Sequence, residues 1–422
     1  MREKIGLVLE GGGAKGSYEI GACKALEEMN IKISAVTGTS VGALNGAMVA
    51  QNEIDKAYQL WHDISPSKVM NINEKRLKQL SRLKIKAVDM RYYIKMIGEI
   101  ITEGGIDVTP LKKLIKQYVD ERKLRSSGID FGMVTVSFTD RKALELFLQD
   151  IPEGQVADYL FASANFPLFR SARIGDKIYM DGGIYDSLPI RMLLEKGYKS
   201  FITVRVGGMG RKRKVNLDGC EVVNIEAKEP LAGPLDFSYE KARENLKLGY
   251  FDAYRVFKRL SGQYFYIKLE YQEDYFVDYF RNLDSDIILK VAQTLNLKDN
   301  IPHHRLLFER VLPKLVEVLK LPGDCSYQDI AVALAEKIAI EVGVERFKIY
   351  SLTELIDCII KKYNKNKGKN SSKEKSLISH FGFLSLFTGD NVLKKLVQDL
   401  LDEKLIKLLI DEEEAEHQTK GK

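Results

Sequence analysis

The spacing of apolar residues changes repeatedly over the first fifty positions. Residues 4–9 form a short, nearly continuous apolar run, the pattern of a strand buried on both faces. Residues 16–30 place Ile20, Cys23, Ala25 and Leu26 at helical spacing. A second apolar run at 33–37 leads into a second helical stretch, 41–52, rich in Ala and Gly. The order β-α-β-α with short connections predicts a parallel sheet with helices on its faces. Residues 53–127 read as mainly helical and amphipathic, interrupted at Gly104-Gly105. Strand-like runs return at 131–138, 143–148, 200–206 and 221–226, and a helical segment ending near Leu260 closes the sheet domain. Residues 263–422 differ in texture, with few glycines and long Leu/Ile/Lys/Glu helical patterns broken by a Lys- and Asn-rich stretch at 361–375. Two domains are expected: an α/β domain over 1–262 and an all-helical one over 263–422 whose sequence carries no readable chemistry.

Bulk properties agree with that division and narrow the class. A chain of 422 residues with 45% hydrophobic and 29% charged residues can build large cores in about two domains. The net charge of +6 favours an anionic surface such as a phospholipid bilayer and is too small to imply nucleic acid. Cys23, Cys220, Cys325 and Cys358 are scattered, the pattern of a reduced cytosolic chain rather than a disulfide framework or zinc site. Strand-like sequence begins at residue 4 with no signal-peptide pattern before it, and no apolar run approaches the roughly 18 residues a bilayer span needs. The expectation is a cytoplasmic protein with at most peripheral membrane contact.

Chemistry concentrates at two turns. Glu10-Gly11-Gly12-Gly13-Ala14-Lys15-Gly16 lies where the first strand hands over to a helix, a place where backbone N–H groups and a helix dipole meet an anion. Gly11-x-Gly13-x-x-Gly16 also fits a dinucleotide fingerprint. That reading needs an acidic residue about 20 positions on, and residues 29–51 contain neither Asp nor Glu. The second strand instead delivers Gly38-Thr39-Ser40-Val41-Gly42. G-x-S-x-G between strand and helix is the nucleophile elbow, a sharp turn that lifts a serine hydroxyl clear of the sheet, with Gly38 and Gly42 relieving its crowding. Neighbouring parallel strands bring both loops to one edge, so amides around Gly12 and Gly13 face the oxyanion formed when Ser40 attacks a carbonyl. A serine needs a base. Of His62, His303, His304, His380 and His417, none lies in the sheet domain after residue 62. His62 reads as a surface or packing residue and His303-His304 as a capping or surface feature, whereas Tyr179-Met180-Asp181-Gly182-Gly183 offers a carboxylate before a flexible turn.

In this order and separation, the glycine loop, the G-x-S-x-G and the Asp-Gly-Gly resemble the patatin-like phospholipase family. Ala162-Ser163-Ala164-Asn165-Phe166-Pro167 resembles its A-S-x-A-x-P segment and Asp186-Ser187-Leu188-Pro189 its D-x-x-P. The match is good over residues 5–205 and fades by 260. The resemblance implies a three-layer α/β/α domain and a Ser–Asp dyad without histidine. Ser40 is then the nucleophile, Asp181 the base, and Gly11, Gly12 and Gly13 the oxyanion loop. Lys15 stands where the family often has Arg and is a candidate for charge support without the forked geometry. The implied activity is hydrolysis of fatty-acyl esters of glycerophospholipids through an acyl-serine, needing no cofactor and no metal.

Two rivals use the same residues differently: a thioesterase or small-ester hydrolase on the same dyad, and a regulatory or scaffold protein with a vestigial site. A triad through His303 or His304 is a further alternative. The expected partner is a lipid or membrane-surface substrate, not nucleic acid, and oligomeric state is open. An amphipathic run at 391–410, the basic stretches at 361–375 and 211–214, an aromatic cluster at 381–387 and a lid within 53–127 are the segments where lipid contact could arise.

Overall fold

The structure, a computed structural model, describes residues 4–72 and 104–367. The chain divides into two compact units that part between Phe257 and Lys258.

The first unit is a mostly parallel sheet covered by helices. Strand β1 (Ile5–Leu9) leads through a 3₁₀ turn (Gly13–Lys15) into helix α1 (Gly16–Glu28), β2 (Ile33–Thr39) and α2 (Val41–Ala50). Helices α3 (Ile54–His62), α4 (Pro66–Val69), α5 (Thr109–Tyr118) and α6 (Glu121–Ser126) follow. Next come β3 (Asp130–Ser137), β4 (Lys142–Phe147), α7 (Val156–Ser163), β5 (Ala172–Ile174), β6 (Lys177–Asp181), α8 (Ile190–Glu195), β7 (Ser200–Arg205) and β8 (Glu221–Glu226). The long α9 (Tyr239–Lys258) closes the unit. Strand order is β5-β6-β3-β2-β1-β7-β8, with β4 also on β3.

Both faces of the sheet are buried at its centre, which is why its central strands are mainly apolar. Val8, Ala35 and Phe201 pack under Ile190 and Leu193 of α8. The opposite face carries Leu9, Val36 and Phe131, against which α2 lies so closely that a side chain at Gly46 would touch all three. The result is the three-layer α/β/α arrangement.

Register positions the chemistry. Strand β3 pairs with β4 along Gly132–Ser137 on one edge. On its other edge it pairs in parallel with β2, ending at Thr39↔Val134, and then with antiparallel β6, beginning at Asp181↔Thr135. Strands β2 and β6 therefore meet end to end on one edge of β3, and their last residues occupy consecutive rungs. Asp181 ends a strand rather than sitting in a free loop. The hairpin β5–β6 has no clear signature, because strands of three and five residues are too short to show alternation.

The second unit is helical apart from a two-stranded parallel pair, Tyr266–Lys268 with Ile349–Ser351. It has two apolar clusters of its own, one around Phe265, Phe276 and Leu355 and one around Leu306, Leu307 and Leu312. Buried Glu336 accepts the backbone N–H groups of Gln263, Tyr264 and Phe265 at 2.7–2.8 Å. The amphipathic run at 391–410, the aromatic cluster at 381–387, His380, His417 and most of the basic stretch at 361–375 lie outside the described residues, as does the middle of the proposed lid. Among the described residues no helix is long and apolar enough to cross a membrane.

Candidate active site

Ser40 links β2 to α2 with φ 56° and ψ −126°, a left-handed conformation that costs a non-glycine residue roughly 1–3 kcal/mol. The turn is possible only because its flanks have no side chains. A Cβ on Gly38 would lie 2.2 Å from Gly42 O, and one on Gly42 2.4 Å from Leu9 O. Ser163 holds the elbow from below: its Oγ accepts the Ser40 N–H (3.1 Å) and donates to Val134 O (2.6 Å). The Thr39 hydroxyl donates to Asp186 O (2.7 Å).

Asp181 reaches Ser40 because of the strand ends described above. Its N–H donates to Asn165 O (2.9 Å), and its carboxylate accepts the Gly183 N–H (2.7 Å). Burial, with 7% of the residue exposed, pushes its pKa up to about 6, against the opposing pull of hydrogen bonds from the Ser40 side chain and Gly183. Asp186, fully buried, is raised to about 6 as well, chiefly by burial. Its carboxylate accepts the Leu188 N–H (3.2 Å) and it does not line the cavity beside Ser40.

That cavity has a volume of about 450 Å³, within the range of ordinary small-molecule sites. Ser40, Asp181, Gly11, Gly12 and Gly13 line one end, and the rest is mainly apolar, with Leu44, Met48, Trp61, Ile115, Phe166 and Phe237 prominent. Trp61 stacks on Phe237 and donates to Asn45 Oδ1 (2.9 Å). Asn45 in turn donates to Gly16 O (2.9 Å) and to buried Glu19 (2.8 Å), whose pKa is pushed well above the carboxylate range by burial. Through Asn45, Glu19 thus braces the wall, a role the sequence did not signal.

The three loop glycines divide. The Gly11 N–H donates to Ser187 O (2.9 Å), so it is committed within the protein and is not available to an oxyanion. Among the described residues no protein acceptor takes the N–H of Gly12 or Gly13, and both line the cavity next to Ser40. Gly13 itself has φ 59°, and a Cβ there would sit 2.2 Å from Pro234 O. Lys15 does not line the cavity. Its ammonium donates to Val206 O (3.2 Å) and Gly207 O (2.8 Å), fastening the turn after β7. Glu10 acts on the same turn: fully buried, it accepts from Val206, Gly207 and Gly208 N–H at 2.8–3.2 Å and pairs with Lys212 (2.8 Å). This role of Glu10 was not legible in the sequence, because the backbone groups it accepts from lie 196 to 198 residues away.

Among the described residues no histidine lines the cavity. His62 lies beside Asp63 (2.9 Å) on the surface, and His303 and His304 are exposed.

The family model for Patatin-like phospholipase matches residues 7–194. Human Patatin-like phospholipase domain-containing protein 6 is 25% identical over 206 residues, 48% of this chain and 13% of that protein. The Lysophospholipase nte1 of Aspergillus terreus is 54% identical over 48 residues, 11% of this chain and 3% of that protein. The chain therefore spans only a small fraction of the length of these relatives. Among solved structures, VipD from Legionella pneumophila aligns over 94% of this chain and 90% of that one, at 14% identity and a TM-score of 0.40. The residues matched by the Patatin-like phospholipase model, 7–194, enclose the Gly loop, Ser40 and Asp181, and it is this part of the chain that is similar to patatin-like phospholipases.

Proposed function

We propose that the protein is a lipid acyl hydrolase of the phospholipase A type, working through a Ser40–Asp181 dyad. The observation that carries this reading is the end-to-end meeting of β2 and β6, which sets the Ser40 hydroxyl against the Asp181 carboxylate at one end of an apolar cavity. Ionised Asp181 accepts the Ser40 proton as Oγ attacks the ester carbonyl. The oxyanion receives the N–H groups of Gly12 and Gly13, in the field of the α2 N-terminus. Collapse expels the alcohol, which takes the proton back from Asp181, and leaves an acyl-Ser40. Water, deprotonated by Asp181, then releases the fatty acid. A pKa of about 6 serves this cycle better than an unperturbed carboxylate would, because it leaves Asp181 ionised at neutral pH yet closer in basicity to its task. The apolar wall suits a fatty-acyl chain, and the family supports a glycerophospholipid as its source.

Lipid analysis of phospholipid vesicles incubated with wild type, Ser40→Ala and Asp181→Asn tests the assignment. Free fatty acid and lysolipid should accumulate with wild type, and turnover should fall at least about a thousandfold in each variant. Undiminished turnover by either variant would refute the dyad.

A further inference from the structure

Among the described residues four large apolar side chains are exposed: Phe138 (60%), Ile184 (49%), Met209 (66%) and Tyr239 (50%). Two of them, Ile184 and Met209, border the cavity that holds Ser40, while Phe138 and Tyr239 do not. Ile184 ends the 3₁₀ turn Gly182–Ile184 that follows Asp181, and Met209 lies in the loop after β7. These segments are locked together. Arg211 N–H donates to Gly183 O (2.8 Å) and Ser187 N–H to Arg211 O (2.7 Å). A Cβ on Gly210 would lie 2.8 Å from Gly183 O, and one on Gly208 1.9 Å from Gly11 O. The two apolar side chains thus stand on a single braced rim.

Cations follow directly. Lys212 is drawn to Glu10 (2.8 Å), and the Arg213 guanidinium lies over the Tyr185 ring, 4.5 Å from its centroid. Arg211 and Lys214 are exposed and have no carboxylate partner among the described residues. Apolar side chains held in water beside unpaired cations, at the opening of an apolar cavity, match an interface that offers hydrocarbon behind a layer of phosphate.

We propose that this rim docks the protein on an anionic lipid surface. Ile184 and Met209 enter the boundary between headgroup and acyl chains, and Arg211 and Lys214 lie at the level of the phosphates. A lipid ester then passes from the surface into the cavity without its acyl chain crossing water. The purpose assigned to the rim rests on the hydrolase reading, but its binding can be measured separately.

The test is co-sedimentation of the full chain, carrying Ser40→Ala so that no lipid is consumed, with phosphatidylglycerol and with phosphatidylcholine vesicles. Binding should favour phosphatidylglycerol and weaken as ionic strength rises. Adding Ile184→Asp and Met209→Asp should lower the vesicle-bound fraction by about tenfold or more, whereas Phe138→Asp, which alters an equally exposed apolar residue off the rim, should leave it within about twofold. Met209→Leu should retain binding. If the double variant shows a lowered melting temperature, the single Met209→Ser variant takes its place. Unchanged binding in the rim variants, equal loss with Phe138→Asp, or self-association in place of vesicle binding would overturn the proposal. Because the protein tested is already Ser40→Ala, these outcomes are independent of the dyad, whose failure would appear instead as lipid turnover by that variant.

Discussion

At the scale of single residues the site depends on two unfavourable placements, a strained serine and a buried carboxylate. Asp181 is raised to about 6 by burial, so it is protonated and inert as a base below that pH and ionised above it. The kcat/KM on a soluble ester should therefore fall about tenfold per pH unit below pH 6 and level off above it. Asp186 shares the value, and Asp186→Asn distinguishes them: the acid limb should persist in that variant if Asp181 is its source. The same shift has a thermodynamic counterpart. Stability associated with protonated Asp181 is fully present below its ordinary value of about 3.9 and is lost as pH rises through 6. The serine makes its own prediction. With φ at 56°, Ser40→Gly should relax the elbow while Ser40→Ala keeps the strain. Both lack the hydroxyl, yet the glycine variant should be about 1 kcal/mol more stable in urea unfolding. Equal midpoints would mean that the turn is not strained.

At the scale of elements, the site is the junction of β2 and β6 on one edge of β3, held by the segment from Ser163 to Asn165. Ser163→Ala removes the hydroxyl that receives the Ser40 N–H, and kcat should drop roughly tenfold, the worth of one hydrogen bond, with KM little changed. A rise in KM at constant kcat would instead assign Ser163 to substrate binding. The sequence revealed half of this junction. The β-α-β-α opening was legible because both faces of its strands are buried and its helices are long enough to show their period. Ser40 was legible because G-x-S-x-G records a steric requirement in residue types. The arrival of Asp181 on an antiparallel strand was not, since β6 is short and its register is set by β3, more than 40 residues earlier. Nor could the sequence separate the loop glycines. All three are alike in type, and only the backbone partner of Gly11, Ser187 O, distinguishes it from Gly12 and Gly13.

At the scale of the whole molecule, each unit is built around its own apolar core, and every residue lining the Ser40 cavity belongs to the first. Leu355 is completely buried in the second. Leu355→Ala should cost about 2–5 kcal/mol, seen in calorimetry as the lowering of one unfolding transition. Ester hydrolysis at low temperature should keep its wild-type rate. Loss of that rate would mean that the second unit supports the chemistry directly.

The account stands most directly on one side-chain oxygen acting as nucleophile. A fluorophosphonate reacts with an activated serine and stays attached, so peptide mass spectrometry after labelling reads which residue that is. One adduct on Ser40 in the wild type, absent from Ser40→Ala and strongly slowed in Asp181→Asn, is the predicted result. An adduct at a different residue, or labelling of Ser40 at the same rate without the Asp181 carboxylate, would contradict it.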